Sequence, residues 1–134
     1  MKIFEYKFKV LESHLDTFGH VNNATYLQLF EEARWDFITT NGWGLKEVQE
    51  FGIGPVILEL NLKFKREVKN REIITVKSQS GDMRNKLVMT MNQQMIKESG
   101  EVAAILDLTV GLMDLKARKL IEPTDEWLKA IGHI

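Results

Sequence analysis

A chain of 134 residues, 44% of them hydrophobic, can form one sizeable core, so we predict a single domain over residues 1–134. The formal net charge of −1 argues against a general electrostatic attraction to nucleic acids or anionic membranes. The absence of cysteine excludes disulfide bonds, thiol nucleophiles and thiolate metal sites.

The first element in chain order is a strand near the N-terminus. Phe4, Tyr6, Phe8 and Val10 alternate with charged residues, which is typical of a strand with one buried face. The same alternation interrupts the apolar run that a signal peptide needs, and no window approaches the ~20 apolar residues that span a bilayer. We therefore expect a cytoplasmic protein that does not enter membranes.

A long buried helix is predicted after a polar loop. From Ala24 the apolar residues take helical spacing, which indicates a helix of about 18 residues. Asn22 or Asn23 can cap its start, and Gly42 can end it. Its apolar positions are Tyr26, Leu27, Leu29, Phe30, Ala33, Phe37 and Ile38.

The second half of the chain has the alternation of a sheet. After a helical turn near 45–50, the clearest strand places on one face Val56, Leu58, Leu60, Leu62 and Phe64. Three further strands are predicted over 72–80, 86–96 and 102–114, with turns at 69–70, 81–82 and 99–100. Short connections favour antiparallel pairing. A short amphipathic helix over 125–131 completes an α+β domain, in which the long helix and the sheet cover each other.

The loop before the long helix suggests a chemistry. Asp16 lies six residues before the expected helix start. A carboxylate there can attack an ester-like carbonyl, or deprotonate a water beside it, while helix amides polarise the carbonyl oxygen. Asp16 is also a good helix cap, but Asn22 and Asn23 are closer to the start of the helix. The pattern therefore favours acyl transfer to water.

The run from Asp16 to Arg34 resembles the signature of the hot-dog-fold acyl-CoA thioesterases of the 4-hydroxybenzoyl-CoA thioesterase type. The matching residues are Asp16, Gly19, His20, Val21, Asn22, Asn23, Tyr26, Glu32, Ala33 and Arg34. The resemblance implies a five-stranded antiparallel sheet wrapped around a long central helix. It also implies hydrolysis of an acyl-CoA thioester to a free acid and CoA, with no cofactor besides the coenzyme A of the substrate itself.

The resemblance also implies roles for residues of the loop and the helix start. Asp16 would be the nucleophile or the general base, and the backbone N–H of Asn23 would stabilise the oxyanion. The expected substrate-binding residues are Gly19, His20, Val21 and Tyr26. His20 either shuttles a proton or holds the loop in shape, and the second role is favoured because Asp16 already serves as the base.

The helix carries two further carboxylates, Glu31 and Glu32, and some hot-dog thioesterases carry the catalytic carboxylate on the helix. With Asp16 present, we interpret Glu32 and Arg34 as a structural pair and Glu31 as a polar group of the substrate pocket. His14, Asp16 and His20 match no usual metal-ligand spacing, so no metal site is predicted.

A CoA thioesterase needs cations for the phosphates of coenzyme A. By position in the family, the expected CoA-binding residues are Arg84, Asn85 and Lys86; Asn85 departs from the family, where a further basic residue often stands. The second candidate is the cluster of Lys63, Lys65 and Arg66. The same cations could face an acidic carrier protein, so a thioesterase that acts on acyl carrier protein stays open, and so does the acyl group.

The hot-dog fold also serves other functions. Dehydratases carry their catalytic His in a segment with proline before the helix, whereas the prolines here are Pro55 and Pro123. A non-catalytic module that binds acyl thioesters is the main alternative, and it would not need Asp16. A DNA-binding regulator is disfavoured by the charge balance. We expect exposed apolar surface around Leu27, Leu29 and Ile38, and such surface usually marks an interface. Similar thioesterases pair their sheets edge to edge, so we predict a homodimer or homotetramer with shared active sites.

Overall fold

Six strands form one antiparallel sheet in the computed structural model, which describes residues 1–134. The strands are β1 (Ile3–Lys9), β2 (Ile53–Phe64), β3 (Ile73–Met83), β4 (Val88–Lys97), β5 (Val102–Asp114) and β6 (Lys119–Ile121). The order across the sheet is β1-β3-β4-β5-β2, and β6 pairs with β5. The helices are α1 (Asn23–Thr40), α2 (Leu45–Phe51) and α3 (Asp125–Ala130), with a short 3-10 turn at Glu12–His14.

The long helix α1 is covered by the inner face of the sheet. Its buried side chains are Tyr26, Leu29, Phe30, Ala33, Phe37 and Ile38, and Phe37 stacks on Phe4 of β1 with ring centroids 4.5 Å apart. Alternate residues of β4 and β5 complete the same cluster. The predicted α+β hot-dog fold, an antiparallel sheet around a central helix, is therefore confirmed. No helix in the structure combines the length and the apolar character that crossing a membrane requires.

Both ends of α1 lie where the sequence predicts them. The side chain of Asn22 accepts a hydrogen bond from the N–H of Ala24 at 2.9 Å, so Asn22 is the cap and Asn23 is the first helical residue. At the other end Gly42 has φ of 99°, a conformation that glycine adopts without steric cost.

The prediction that β2 buries one continuous face is wrong. A bulge between Ile57 and Glu59 shifts the register against β5, so Val56 lies opposite Gly111 on the outer face, while Phe64 lies opposite Ala104 on the inner face. One extra residue exchanges the two faces because side chains alternate with period two.

The predicted turn at 81–82 is also wrong, because β3 continues to Met83 and the reversal occurs at 84–87. Gly81 marks a register shift against β4 instead. A Cβ at this position would clash with the hydroxyl oxygen of Thr90. The glycine therefore permits a close approach inside a strand, which is a common reason for glycine there. The short strand β6 was not predicted, since three residues give no measurable alternation.

Exposed apolar surface lies elsewhere than predicted. Leu29 and Ile38 are buried in the core. A row of exposed apolar side chains lies instead on β2, a strand at the edge of the sheet: Ile57 (38% exposed), Leu58 (43%), Leu60 (44%) and Phe64 (54%). An edge strand with this much exposed apolar area is suited to pairing with another chain.

Candidate active site

The loop of Asp16 is a closed hydrogen-bonded turn. The N–H of Asp16 donates to the carbonyl of His20 at 2.8 Å, and the N–H of Gly19 donates to the carbonyl of Asp16 at 3.1 Å. One carboxylate oxygen, Oδ1, accepts from the N–H groups of Phe18 (2.9 Å) and His20 (3.3 Å). The carboxylate is therefore oriented through Oδ1, and Oδ2 has no hydrogen bond within the chain.

The start of α1 supplies a free donor. Asn22 caps the N–H of Ala24, and the carbonyl of Asn22 accepts from Tyr26 at 3.2 Å. The N–H of Asn23 has no acceptor within the chain, as expected for the first residue of a helix. This donor lies at the electropositive end of an 18-residue helix, which is a suitable place for a developing oxyanion.

Asp16 and Asn23 line the same open cleft of about 420 Å³. The other lining residues are His20, Val21, Tyr26, Phe64, Lys65, Arg66 and Glu67. Hydrogen bonding between the loop and the segment after β2 closes one side, since the N–H of Val21 donates to the carbonyl of Val68 at 3.3 Å. The structure thus brings together the predicted Asp16, Asn23, His20, Val21 and Tyr26.

Two side chains of the cleft have neighbours that limit their roles. The Nε2 atom of His20 lies 3.5 Å from Oε2 of Glu67, so this histidine faces a carboxylate in addition to shaping the loop. Burial raises the pKa of the Tyr26 hydroxyl, and its ring meets Phe64 edge to face at 5.0 Å. Tyr26 is therefore a neutral wall of the cleft.

The conformation of Gly19 gives a testable requirement. Gly19 has φ of 81°, and a Cβ there would meet no atom within 4 Å. We expect Gly19→Ala to lower the free energy of unfolding by about 1 kcal/mol through backbone strain alone. Chemical denaturation measures the free energy of unfolding. Gly100→Ala is the comparison variant, because Gly100 also has a positive φ (91°) but lies in a remote turn. A Gly19→Ala variant as stable as the parent protein would contradict the assignment of strain.

The predicted CoA-binding residues do not share the cleft. Arg84, Asn85 and Lys86 form the β3–β4 turn, and Asn85 uses its side-chain oxygen to accept from the N–H groups of Leu87 and Val88. Val88 aligns through β5 with Val56 at the beginning of β2, whereas Phe64 at the end of β2 lines the cleft. Eight residues of strand, roughly 26 Å, separate the two ends of the sheet.

The second basic cluster is closer to Asp16. Lys65 and Arg66 line the cleft directly, although Arg66 is also paired with Glu101 at 3.0 Å. Arg84, by contrast, faces Glu59 at 4.0 Å across the outer face of the sheet.

The predicted pair of Glu32 and Arg34 is wrong. Glu32 accepts a hydrogen bond from the hydroxyl of Tyr6 at 2.6 Å, which raises the pKa of Tyr6 to about 12. Arg34 instead donates to the side chain of Gln93 at 2.8 Å. On a helix, neighbours two positions apart point to different faces, and this explains why the two cannot pair.

Two lining residues were missed as site residues. Phe64 and Glu67 reach the cleft because the end of β2 lies beside the start of α1. No local pattern signals this proximity, since it depends on where β2 lies in the sheet. No group of three His, Asp or Glu side chains converges as a metal site, and Nδ1 of His14 accepts from the N–H of Leu11 at 2.9 Å.

Comparisons with known proteins agree with this geometry. The family model of the thioesterase-like superfamily matches residues 10–131. Long-chain acyl-CoA thioesterase FadM of Escherichia coli (strain K12) is 30% identical over 115 residues, which are 86% of this chain and 86% of FadM. The chloroplastic acyl-acyl carrier protein thioesterase ATL3 of Arabidopsis thaliana is 31% identical over 110 residues, 77% of this chain and 58% of ATL3.

A solved structure gives the same result. The crystal structure of YbaW probable thioesterase from Escherichia coli superposes with a TM-score of 0.82 and 29% identity, covering 94% of each chain. The more specific 4-hydroxybenzoyl-CoA type stays a prediction. The family model and these two similarities over most of the chain show that it belongs to the thioesterase-like superfamily and has the hot-dog fold of a thioester hydrolase.

Proposed function

We propose that this chain hydrolyses acyl-CoA thioesters to a free acid and CoA, with Asp16 as the catalytic carboxylate. The observation that carries the proposal is one cleft lined by both the Asp16 carboxylate and the start of α1, where the N–H of Asn23 is free. FadM, the relative with 86% coverage, bears the name of a long-chain acyl-CoA thioesterase. A cytoplasmic location stays a prediction from the sequence.

The geometry suits two routes that share an oxyanion. In the first, Oδ2 of Asp16 attacks the thioester carbon, the C–S bond breaks, CoA leaves as the thiolate, and water hydrolyses the resulting anhydride. In the second, Asp16 removes a proton from water as the water attacks the same carbon, and the tetrahedral intermediate then breaks its C–S bond to release the acid and the CoA thiolate. In both routes the N–H of Asn23 donates to the carbonyl oxygen as its negative charge develops. Oδ1 stays bonded to the loop amides, so Oδ2 is the oxygen available to react.

A dimer formed through β2 accounts for the distance between Asp16 and Arg84. In a twofold pair the free edge of β2 would meet its own copy in antiparallel orientation, so the end with Phe64 would lie beside the partner's Val56. The β3–β4 turn of the second copy, with its Arg84 and Lys86, would then stand at the end of the sheet where Asp16 lies. The exposed Leu60 and its neighbours on β2 would be covered. The homodimer is thus the assembly we propose, with shared active sites.

This arrangement makes a prediction for the phosphates of CoA. We expect the double variant Arg84→Ala/Lys86→Ala to raise KM for acyl-CoA about 10-fold with little change in kcat, because remote phosphates bind equally in the ground and transition states. Lys65→Ala is the comparison variant, since Lys65 lines the cleft of its own chain. Steady-state kinetics measure KM for each variant. If only Lys65→Ala raises KM, the phosphates bind to the cluster of Lys63, Lys65 and Arg66 in the same chain.

The proposed thioesterase activity is tested by measuring thiol release from a panel of acyl-CoA thioesters of increasing chain length. Hydrolysis that depends on Asp16 supports the proposal. Tight binding of the same thioesters without thiol release would instead indicate a non-catalytic binding module. Parallel assays with acyl carrier protein thioesters address the alternative that similarity to ATL3 favours, and a kcat/KM higher for the carrier protein would change the substrate class.

A further inference from the structure

A second polar site lies inside the fold, away from the cleft. Gln93 of β4 is fully buried, donates to the carbonyl of Phe30 (3.1 Å) and to the hydroxyl of Ser78 (2.9 Å), and accepts from Nη1 of Arg34 (2.8 Å). This is the only hydrogen bond of the Arg34 side chain within the chain, and Arg34 is in no ion pair. A guanidinium group has five N–H donors, so most of those of Arg34 have no partner within the chain.

Arg34 borders an apolar cavity of about 80 Å³ between α1 and the sheet. The other lining residues are Glu31, Trp35, Ile38, Pro55, Ile57, Met89, Thr90, Met91, Val110, Trp127 and Ile131. Burial lowers the pKa of Arg34, and the nearby Glu31 opposes this effect. The donors of this half-buried guanidinium that have no partner within the chain can bond to water or to an acceptor on a ligand.

The cleft lies at the start of α1, and the cavity lies farther along the same helix toward its C-terminal end. Arg34 follows Asn23 by 11 positions, about 16 Å at the helical rise. Beside α1, β2 runs back from Phe64 at the cleft to Ile57 at the cavity, and Leu62 lies between them on the inner face. An extended acyl chain advances about 1.3 Å per C–C bond, so roughly 12 bonds separate the reacting carbon from Arg34.

Glu31 decides which acceptor fits. A distal carboxylate would bond to Arg34 but would meet the like charge of Glu31 at the same cavity. A hydroxyl group can accept from the guanidinium and donate to the Glu31 carboxylate, so it satisfies both. A plain methyl end offers no acceptor to Arg34.

We propose that this cavity binds the distal end of a long acyl chain and selects a hydroxyl group about 12 carbons from the thioester. The proposal rests on the proposed thioesterase function and specifies its substrate class. Arg34 and Glu31 would then be specificity residues, separate from the catalytic residues of the cleft.

The first test compares hydrolysis of dodecanoyl-CoA, 12-hydroxydodecanoyl-CoA, 3-hydroxydodecanoyl-CoA and the CoA monothioester of dodecanedioic acid. We expect kcat/KM for the 12-hydroxy substrate to exceed that for dodecanoyl-CoA about 10-fold, in line with a hydrogen bond to a charged group. The 3-hydroxy and dicarboxylic substrates should not be favoured. Equal rates for all four, or a preference for the 3-hydroxy substrate, would overturn the proposal while leaving thioesterase activity established.

Two variants identify the residues. Glu31→Gln, at an exposed helix position, should raise the ratio of kcat/KM for the dicarboxylic substrate to that for dodecanoyl-CoA about 10-fold. Glu32→Gln is the matched control, because Glu32 is exposed, points to Tyr6 and should alter no substrate ratio. Arg34→Met should abolish the preference for the 12-hydroxy substrate. If that variant does not fold, Glu31→Gln alone still tests the proposal, because an unchanged ratio of kcat/KM for the dicarboxylic substrate to that for dodecanoyl-CoA would contradict it.

A binding measurement separates this proposal from the proposed function. Calorimetry with the non-hydrolysable thioethers S-dodecyl-CoA and S-(12-hydroxydodecyl)-CoA needs no catalysis. About 10-fold tighter binding of the hydroxylated thioether supports the cavity even if no thioester is hydrolysed. Equal affinities of the two thioethers would refute the cavity even in an active thioesterase.

Discussion

Asp16→Asn is expected to lower kcat at least ~100-fold for any acyl-CoA that the parent protein hydrolyses. The amide oxygen of asparagine can still accept from the N–H groups of Phe18 and His20, so the loop should keep its shape. The variant loses only the nucleophile or base at the second oxygen, and removal of a catalytic carboxylate costs at least this much. KM and the free energy of unfolding should change little.

Kinetics by thiol release and thermal unfolding together measure this effect. Asn23→Ala is the informative control, because alanine keeps the backbone N–H assigned to the oxyanion, and we expect at most a few-fold loss. Full activity of Asp16→Asn would refute the catalytic assignment. A large loss for Asn23→Ala would show that the Asn23 side chain, and not its N–H, acts in the cleft.

Much of the fold follows from local patterns in the sequence. The period of two in β1 and the helical spacing of α1 are long, regular signals set by one buried face. The cap at Asn22 and the positive φ of Gly42 follow from backbone chemistry at single residues. These features need no knowledge of the rest of the chain.

The errors in the sheet come from interactions between distant strands. The bulge at Ile57 and the register shift at Gly81 depend on the partner strand, so β2 and β3 could not be delimited from their own residues. The same holds for the site: Glu67 reaches His20 through strand order, and Arg34 reaches Gln93 across 59 positions of sequence. Sequence pattern located the Asp16 loop because its residues are consecutive.

The proposed assembly through β2 gives the prediction with the largest expected effect outside the catalytic loop. Leu60 lies on the edge strand, is 44% exposed and does not line the cleft. A charge there costs little in a free chain but would be buried without a partner in a β2 dimer. Leu60→Asp should therefore leave the fold intact and convert the dimer to a monomer.

If each active site needs both copies, the Leu60→Asp monomer should lose at least ~10-fold in kcat/KM for acyl-CoA. Its activity should recover as the protein concentration rises, because assembly follows mass action. Light scattering and kinetics at matched concentrations measure both effects. Ile3→Asp is the matched control, since Ile3 is 58% exposed on β1 at the opposite edge of the sheet and should alter neither mass nor rate. A fully active Leu60→Asp monomer would disprove shared active sites, and an intact Leu60→Asp dimer would place the interface on another surface.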